Sequence, residues 1–577
     1  MYANDTTWEI EIGNLEEELA DVAVLQGKVG SSAKTLLEAL RGQDTVGKLI
    51  SQIYVYAGRR QDSDTTDATA QALIERAGSL WAKVGATLAF IEPEILAIPE
   101  ETVLQWLESE PGLATYRFAL TELLRQRQHV RSAEVEEVLA QFGDVTRAPS
   151  DTYEILTNAE LKLPTIQDEK GEPVQLSLAR FGRYLESQDR RVRRDTFKGV
   201  YAAFGAIRNT LGTTLAAAVR SNVINARTRR YRSALESALK PKSIPLEVYH
   251  NLITTINANL PRLHRYMALR QKLLGLDDLR IYDLYVSLVP QADVEIPYEQ
   301  AMATTRAAFL PLGEEYTAAI DQTFNNRWID VYENVGKRSG AYSDGSYTTA
   351  PFILLNYQNR LDDMFTLAHE LGHSMHSYFT RRHQPFVYGN YTIFVAEVAS
   401  TLNEALLIDH LLKTSDDLAL RKYLIVKQLE GVRTTLFRQT MFAEFELAMH
   451  AQTEQGLPLT AEGLTKQYYE LVGRYHGSAV TLDEEIGWEW SRIPHFYYGF
   501  YVYQYATGLS AALALSRQIL SEGQPAVERY LGFLRSGSSQ NSIDLLRAAG
   551  VDMTTPAPIQ AAMDEFDRWL DALEALS

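Results

Sequence analysis

The stretch "TLAHELGHSMHSYF" runs from Thr366 to Phe379 and places His369, His373 and His376 close together in a chain that has only 11 histidines. Its core, "HELGH", fits the pattern H-E-x-x-H. On an α-helix, residues four apart project from one face, so His369 and His373 can hold one ion between them. Met364, Leu367, Leu371, Met375 and Tyr378 group on one side of the helical wheel and the three histidines on the other. That division predicts a helix that packs by one face and presents imidazoles from the opposite one. Zinc accepts imidazole nitrogen and carboxylate oxygen in a tetrahedral shell, and a catalytic site keeps one position for water. Glu370 stands about a hundred degrees around the helix from His369. It can reach such a water and is too far round to be the obvious third ligand, so its expected role is general base. His376, one turn beyond His373, is expected to support or pack against the site.

The third ligand must come from elsewhere. The extended form H-E-x-x-H-x-x-G-x-x-H needs Gly at 376 and His at 379; His376 and Phe379 stand there instead. Downstream, "FVAEVASTLNEALLIDHLL" has helical periodicity through Val395, Val398, Leu402 and Leu406. Glu397 lies off that stripe, with Ser400, Thr401 and Glu404 on its face. A carboxylate on a second helix packed against the first would complete a His₂Glu site, and Glu397 is the expected ligand. Glu404 competes for that place, and otherwise orients a ligand histidine through its free ring nitrogen. Later, "WSRIPHFYYGFYVYQYATG" gathers His495, Tyr497, Tyr498, Tyr501, Tyr503 and Tyr505. Neutral donors of this kind stabilise an oxyanion, although most tyrosines simply pack.

Bulk composition narrows the function further. The 577 residues exceed one compact core, and 46% hydrophobic with 23% charged residues is ordinary for a soluble protein. A net charge of −18 disfavours nucleic acid. "DRRVRRD" at Asp189 to Asp195 reads as a solvated helix face with ion pairs. No apolar run is long enough for a membrane helix. Cysteine is absent, and the acidic N-terminus has no signal-like apolar segment, so the expected location is the cytoplasm.

Helical periodicity dominates elsewhere, as in "YRFALTELLRQRQ", "SAEVEEVLAQFG" and the long segments Pro245 to Gly275 and Arg421 to Gly456. Strand signals are few. "DVYENVGKRSGAYSDGSY" reads as strand, Gly-rich turn and strand, and "PFILLNY" as a short strand, either an open edge or an inner one. The fold class is therefore mainly α with a small β element beside the histidine segment. A boundary is expected near "APSDTYEILTN" (148–158), giving an N-terminal helical region, 1–150, and a catalytic region, 151–577.

Taken together, "GKRSGAYSDGSY", "PFILLNY", "TLAHELGHSMHSYF", "AEVASTLNEALL" and "IPHFYYGFYVYQYATG" resemble the M3 family of zinc metallopeptidases, within it the oligoendopeptidase F group. The resemblance covers most of the chain. It implies a two-lobed, clam-like helical protein with a deep central channel and one zinc per chain held by His369, His373 and Glu397. It implies Glu370 as base, with His495, Tyr501 and Tyr505 as transition-state donors; Tyr498 or Tyr503 are the alternatives to either tyrosine. Tyr498 is also expected to bind substrate. Gly340 and Tyr342 resemble the family's substrate loop. The implied reaction is hydrolysis of internal bonds in short unstructured oligopeptides by a metal-activated water. The alternative is a zinc carboxypeptidase or dipeptidyl carboxypeptidase, for which Arg360 or Arg492 would grip the free carboxylate. A non-catalytic peptide binder on the same scaffold is the remaining reading.

Overall fold

The computed structural model describes residues 1–289 and 295–576. Helices dominate these residues, with three small sheets. The chain divides into two compact units, each assembled from three separated segments. One unit takes Met1–Gln128, Asp293–Leu411 and Leu515–Val551; the other takes His129–Ala292, Leu412–Ala514 and Asp552–Ser577. These units do not follow a linear division at residue 150. Residues 148–158 lie on the helix Gly143–Ile155 and the π turn that continues it, Leu156–Glu160. Only Tyr153 and Thr157 of these two elements are buried, and Pro149 sits inside the helix, so the apolar period lapses although the helix does not. Among the described residues, no helix is long and apolar enough to cross a membrane.

In the first unit, the helices Asp5–Ala23, Ala33–Ser63 and Ala68–Leu88 start at side-chain caps from Asn4, Ser32 and Asp67. They bury Trp8, Leu15, Leu36 and Ile53 in one cluster. The Trp8 indole N–H donates to the Ile53 carbonyl at 3.0 Å, so this large ring is buried without an orphaned donor. The sheet in this unit has Phe352–Tyr357 at its centre, paired parallel with Ile329–Tyr332 and antiparallel with Tyr342–Asp344. "PFILLNY" is thus an inner strand, as its run of apolar residues suits. The two strands flanking the Gly-rich turn pair with it and not with each other.

The segment Leu361–His383 is one helix, the His helix. Asp363 starts it by accepting the backbone N–H groups of Arg360 at 2.9 Å and Gln358 at 2.8 Å. Acidic residues in its first turn and Arg381, Arg382 and His383 in its last complement the helix dipole. Ile393–Thr414 forms the following Glu helix.

The second unit is built on long helices, including Arg190–Ala206, Arg208–Thr228, Leu246–Ala258 and Leu260–Leu273. The last two are separated at Asn259, two residues before Pro261. Leu418–Gly431 and Arg438–Glu454 are joined by a π turn, Val432–Phe437. The "DRRVRRD" helix keeps Arg194 exposed, but Arg190 and Arg193 turn onto the fully buried Asp283, at 2.8 and 2.7 Å. Half of the expected solvated face is therefore an internal ion-pair network.

Candidate metal centre

His369, His373 and Glu397 each offer a ligand atom, and the three atoms lie within 4.8 Å of one another. The Nε2 atoms of His369 and His373 are 3.4 and 3.5 Å from Glu397 Oε2. Glu404 Oε1 lies 2.7 Å from His369 Nδ1. Nδ1–H therefore donates to that carboxylate, and the Nε2 lone pair is directed toward the group. Burial opposes a charge on Glu397, yet the two imidazoles and the Ser400 hydroxyl outweigh it and hold its pKa down at about 2. Burial likewise opposes protonation of His369, but Glu404 and the neighbouring carboxylates raise its pKa. Two imidazole nitrogens, a carboxylate and an orienting outer carboxylate form a donor set that fits a zinc-type ion.

The close approach of the two helices makes this possible. Gly372, inside "HELGH", faces Ala399 and Ser400 of the Glu helix. Asn403 donates to the Ala368 carbonyl at 3.1 Å and accepts the Tyr316 hydroxyl at 2.8 Å, all buried. Ser400 donates to Glu397 Oε2 at 2.9 Å and fixes the ligand's rotamer.

Glu370 is 6% exposed and burial raises its pKa. The Ser343 backbone N–H supports its carboxylate, while Oε2 is buried without a hydrogen-bond partner. The Ser343 and Ser374 hydroxyls, 2.8 Å apart, bind the edge strand to the His helix. His376 is buried and stacks on Tyr391 with ring centroids 3.6 Å apart and planes at 2°. Burial holds its pKa at about 3, so it is a neutral packing ring.

Gly340 is exposed at φ +88°, and its carbonyl accepts Asn356 Nδ2 at 2.8 Å. Tyr342 lies between Arg59 and Arg338, whose guanidinium carbons are 4.3 and 5.6 Å from its ring centre. Its hydroxyl donates to the buried Asp62 at 2.7 Å. Asp62 also takes Arg59 at 2.9 Å and Arg338 at 3.2 Å, and its carbonyl accepts the Arg338 N–H at 2.9 Å. Residues near the C-terminus of the Ala33–Ser63 helix thus fasten the Gly-rich turn.

The late aromatic run lies in the second unit. His495 stands on the short 3₁₀ turn Pro494–Tyr497, and burial lowers its pKa. The Tyr505 hydroxyl is 3.5 Å from His495 Nε2, and the Tyr501 ring lies 18° from parallel with the imidazole at 6.1 Å. Tyr498 is 51% exposed beside His495, at 5.6 Å between ring centres. Tyr503 points into the core, 5.1 Å from the Tyr249 ring, and Tyr497 is hydrogen-bonded to Thr214 at 2.7 Å. Arg492 packs over Phe181 and Tyr201 and lies 3.4 Å from Glu489.

Gly372, Asn403 and Asp62 also shape the site, beyond the residues expected from the sequence. A glycine inside the strongest helical motif was the one available signal for the first. Nothing local marks the other two.

The model of peptidase family M3 matches residues 183–565, and that of oligopeptidase F matches residues 94–162. The chain is 48% identical over 576 residues to the oligopeptidase PepF of Bacillus subtilis, covering 100% of this chain and 86% of the relative. It is 41% identical to the group B oligopeptidase PepB of Streptococcus agalactiae, covering 100% of this chain and 96% of that one. The crystal structure of oligoendopeptidase-F from Enterococcus faecium superposes with a TM-score of 0.77 at 40% identity, covering 99% of both chains. A Chlamydophila abortus structure superposes with a TM-score of 0.93 at 34% identity, covering 100% of this chain and 97% of the other. With a family match over most of its length and full-length relatives well above 30% identity, the chain belongs to peptidase family M3, in its oligoendopeptidase F group, and is a metalloendopeptidase.

Proposed function

We propose that this enzyme is a zinc-dependent endopeptidase that cuts internal bonds of short, unstructured oligopeptides in the cytoplasm, with one zinc per chain. The observation that carries this reading is the convergence of the His369, His373 and Glu397 ligand atoms within 4.8 Å beside the buried Glu370. His369, His373 and Glu397 would hold the ion, which when bound polarises a peptide carbonyl and acidifies water. Glu370 accepts a proton from the attacking water at Oε2 and returns it to the leaving amine. Its buried setting, which raises its proton affinity, favours that role. Glu404 holds the His369 tautomer. His495 and the hydroxyls of Tyr501 and Tyr505 donate to the oxygen that gains charge.

Gly340, Tyr342 and Tyr498 contact the substrate main chain. The strand Tyr342–Asp344 lies at the edge of its sheet, where an extended peptide can align beside it, and Gly340 admits close approach. Residues 151–577 hold every proposed site residue. Residues 1–150 support them, since Asp62 fastens the turn that carries Gly340. Arg492, committed to Glu489 and two aromatic faces, is poorly suited to the carboxylate grip that an exopeptidase needs.

The test is digestion of end-blocked and free peptides of graded length, with every product identified by mass spectrometry and Glu370→Gln run in parallel. Internal cuts in blocked peptides, absent from the variant, are expected. Cuts confined to free C-termini would favour the carboxypeptidase. A zinc-loaded protein that cuts nothing would be a peptide binder.

A further inference from the structure

The run that carries His495, Tyr501 and Tyr505 reverses through two consecutive left-handed residues, Gly499 at φ +57° and Phe500 at φ +55°. Glycine accepts this conformation freely, but a bulky aromatic residue does not. Phe500 is held there by Glu446, whose Oε1 accepts its backbone N–H at 2.5 Å. Glu446 is fully buried on the helix Arg438–Glu454, and its Oε2 has no hydrogen-bond partner. Among the described residues, no cation pairs with it.

Three helices of the second unit close around this contact. His450, one turn along from Glu446, packs on Phe500 with ring centres 4.3 Å apart. Its Nδ1–H donates to the Glu446 carbonyl at 2.8 Å, which leaves Nε2 to accept Asn222 Nδ2–H at 3.2 Å. Asn222 lies beneath the turn: a Cβ on Gly499 would sit 3.3 Å from its Nδ2. The Tyr249 ring packs on Phe500 at 5.7 Å and on Tyr503 at 5.1 Å, and its hydroxyl donates to the Ala443 carbonyl at 2.7 Å.

A carboxyl group buried with no counter-charge and one unused oxygen is an expensive way to make a single backbone hydrogen bond. Departures of this kind concentrate where a local geometry is needed for function. The geometry needed here is the reversal itself. Pro494–Tyr497 places His495 before the turn, and the helix Tyr503–Glu522 places Tyr505 after it. Tyr505 comes within 3.5 Å of His495 only because the chain doubles back between them.

We propose that Glu446 is a positioning residue: by holding the Phe500 N–H it fixes the left-handed turn and thereby sets Tyr501 and Tyr505 against His495, with His450 and Asn222 buttressing the turn. This rests on the reading that these three groups are the oxyanion donors. Glu446 touches no reacting atom. Its effect passes through the geometry of donors whose displacement by an ångström is costly to the rate.

The experiment compares kcat, KM and bound metal in the full-length enzyme and in Glu446→Leu, Glu446→Asp and Glu446→Gln, with Tyr501→Phe, Tyr505→Phe and His495→Ala in parallel. Glu446→Leu removes the acceptor and is expected to lower kcat about 10- to 100-fold, with KM and metal content retained. Glu446→Gln keeps an oxygen acceptor at the same reach and is expected to restore kcat. Glu446→Asp, one methylene short, is expected to fall with Leu, so the order Gln above Asp separates reach from charge. Amide exchange at Phe500 should accelerate in the Leu and Asp variants and not in Gln. If Glu446→Leu does not fold, Glu446→Asp carries the test. Wild-type kcat in whichever of these two variants folds overturns the role of Glu446, provided the His495 and tyrosine variants are impaired. If those three variants all retain kcat, the donor reading itself is overturned, whatever Glu446 does.

Discussion

Gly372 of the His helix meets Ser400 of the Glu helix so closely that a Cβ on Gly372 would lie 2.5 Å from Ser400 Cα and 2.6 Å from the Ala399 carbonyl oxygen. Both obstacles are backbone atoms, so neither can rotate away. The Ser400 hydroxyl in turn holds Glu397 Oε2 at 2.9 Å. Gly372→Ala is therefore expected to separate the helices, withdraw Glu397 and cost about 1–3 kcal/mol of stability. Thermal melts and metal retention against a chelator check this. Full retention of metal in the variant would mean that helix spacing does not set the site.

Glu370→Gln keeps the shape of the side chain and removes its basicity. The expected result is a fall in kcat of about 10²- to 10⁴-fold with an unchanged metal content, measured by elemental analysis on the assayed sample. Loss of metal alongside activity would instead assign Glu370 to the coordination shell.

Glu404 reaches His369 Nδ1 at 2.7 Å, which fixes the ring tautomer and orientation. Glu404→Ala is expected to weaken metal affinity about 10- to 100-fold, read by competition with a chromogenic chelator. An unchanged affinity would reduce Glu404 to a surface carboxylate of its helix.

Asp62 is 4% exposed and gathers Arg59, Arg338 and the Tyr342 hydroxyl. Asp62→Ala leaves those donors without their acceptor and frees the Gly-rich turn. The expected outcome is a KM several times higher with a smaller change in kcat, and a stability loss of about 1–3 kcal/mol. A purely structural role would lower stability and leave KM where it was.

Burial pushes the Glu446 carboxyl up to about 8, and it holds the His450 and His476 imidazoles down at about 4. Tyr249 and His450, the titratable groups facing Glu446, stay uncharged near neutrality. In an unfolded chain, Glu titrates near about 4.3 and His near about 6.5. As pH rises from about 4.5 to 8, the unfolded chain releases a proton that folded Glu446 keeps, so stability falls with rising pH. As pH falls from about 6.5 to 4, the unfolded chain binds protons that folded His450 and His476 refuse, so stability falls with falling pH. The two trends oppose each other below about 6.5. Above it, of these three groups, Glu446 acts alone. Unfolding free energies from urea titration are expected to decline by at most about 1.4 kcal/mol per pH unit from about pH 6.5 to 8 in the wild type and to flatten over that range in Glu446→Gln. An equal decline in both proteins would show that Glu446 is not the group responsible.

The sequence by itself determined the His helix, its apolar face and the joint presentation of His369 and His373, because helical period and side-chain chemistry are local properties. It also marked Glu397, a carboxylate off the apolar stripe of the next helix. The inner place of Phe352–Tyr357 could not be read, since a short apolar run suits an inner or an edge strand alike. The compact units were equally hidden, because each is assembled from three segments far apart in the chain. Tertiary structure alone decided that Gly372 meets Ser400, that Asp62 holds Tyr342 and that Glu446 holds Phe500. These partners are 28, 280 and 54 positions apart, and none shares a helix or a turn. A periodic pattern states which face of a segment turns inward; it does not state which distant segment will meet that face, and this is set only when the packed chain brings the two together.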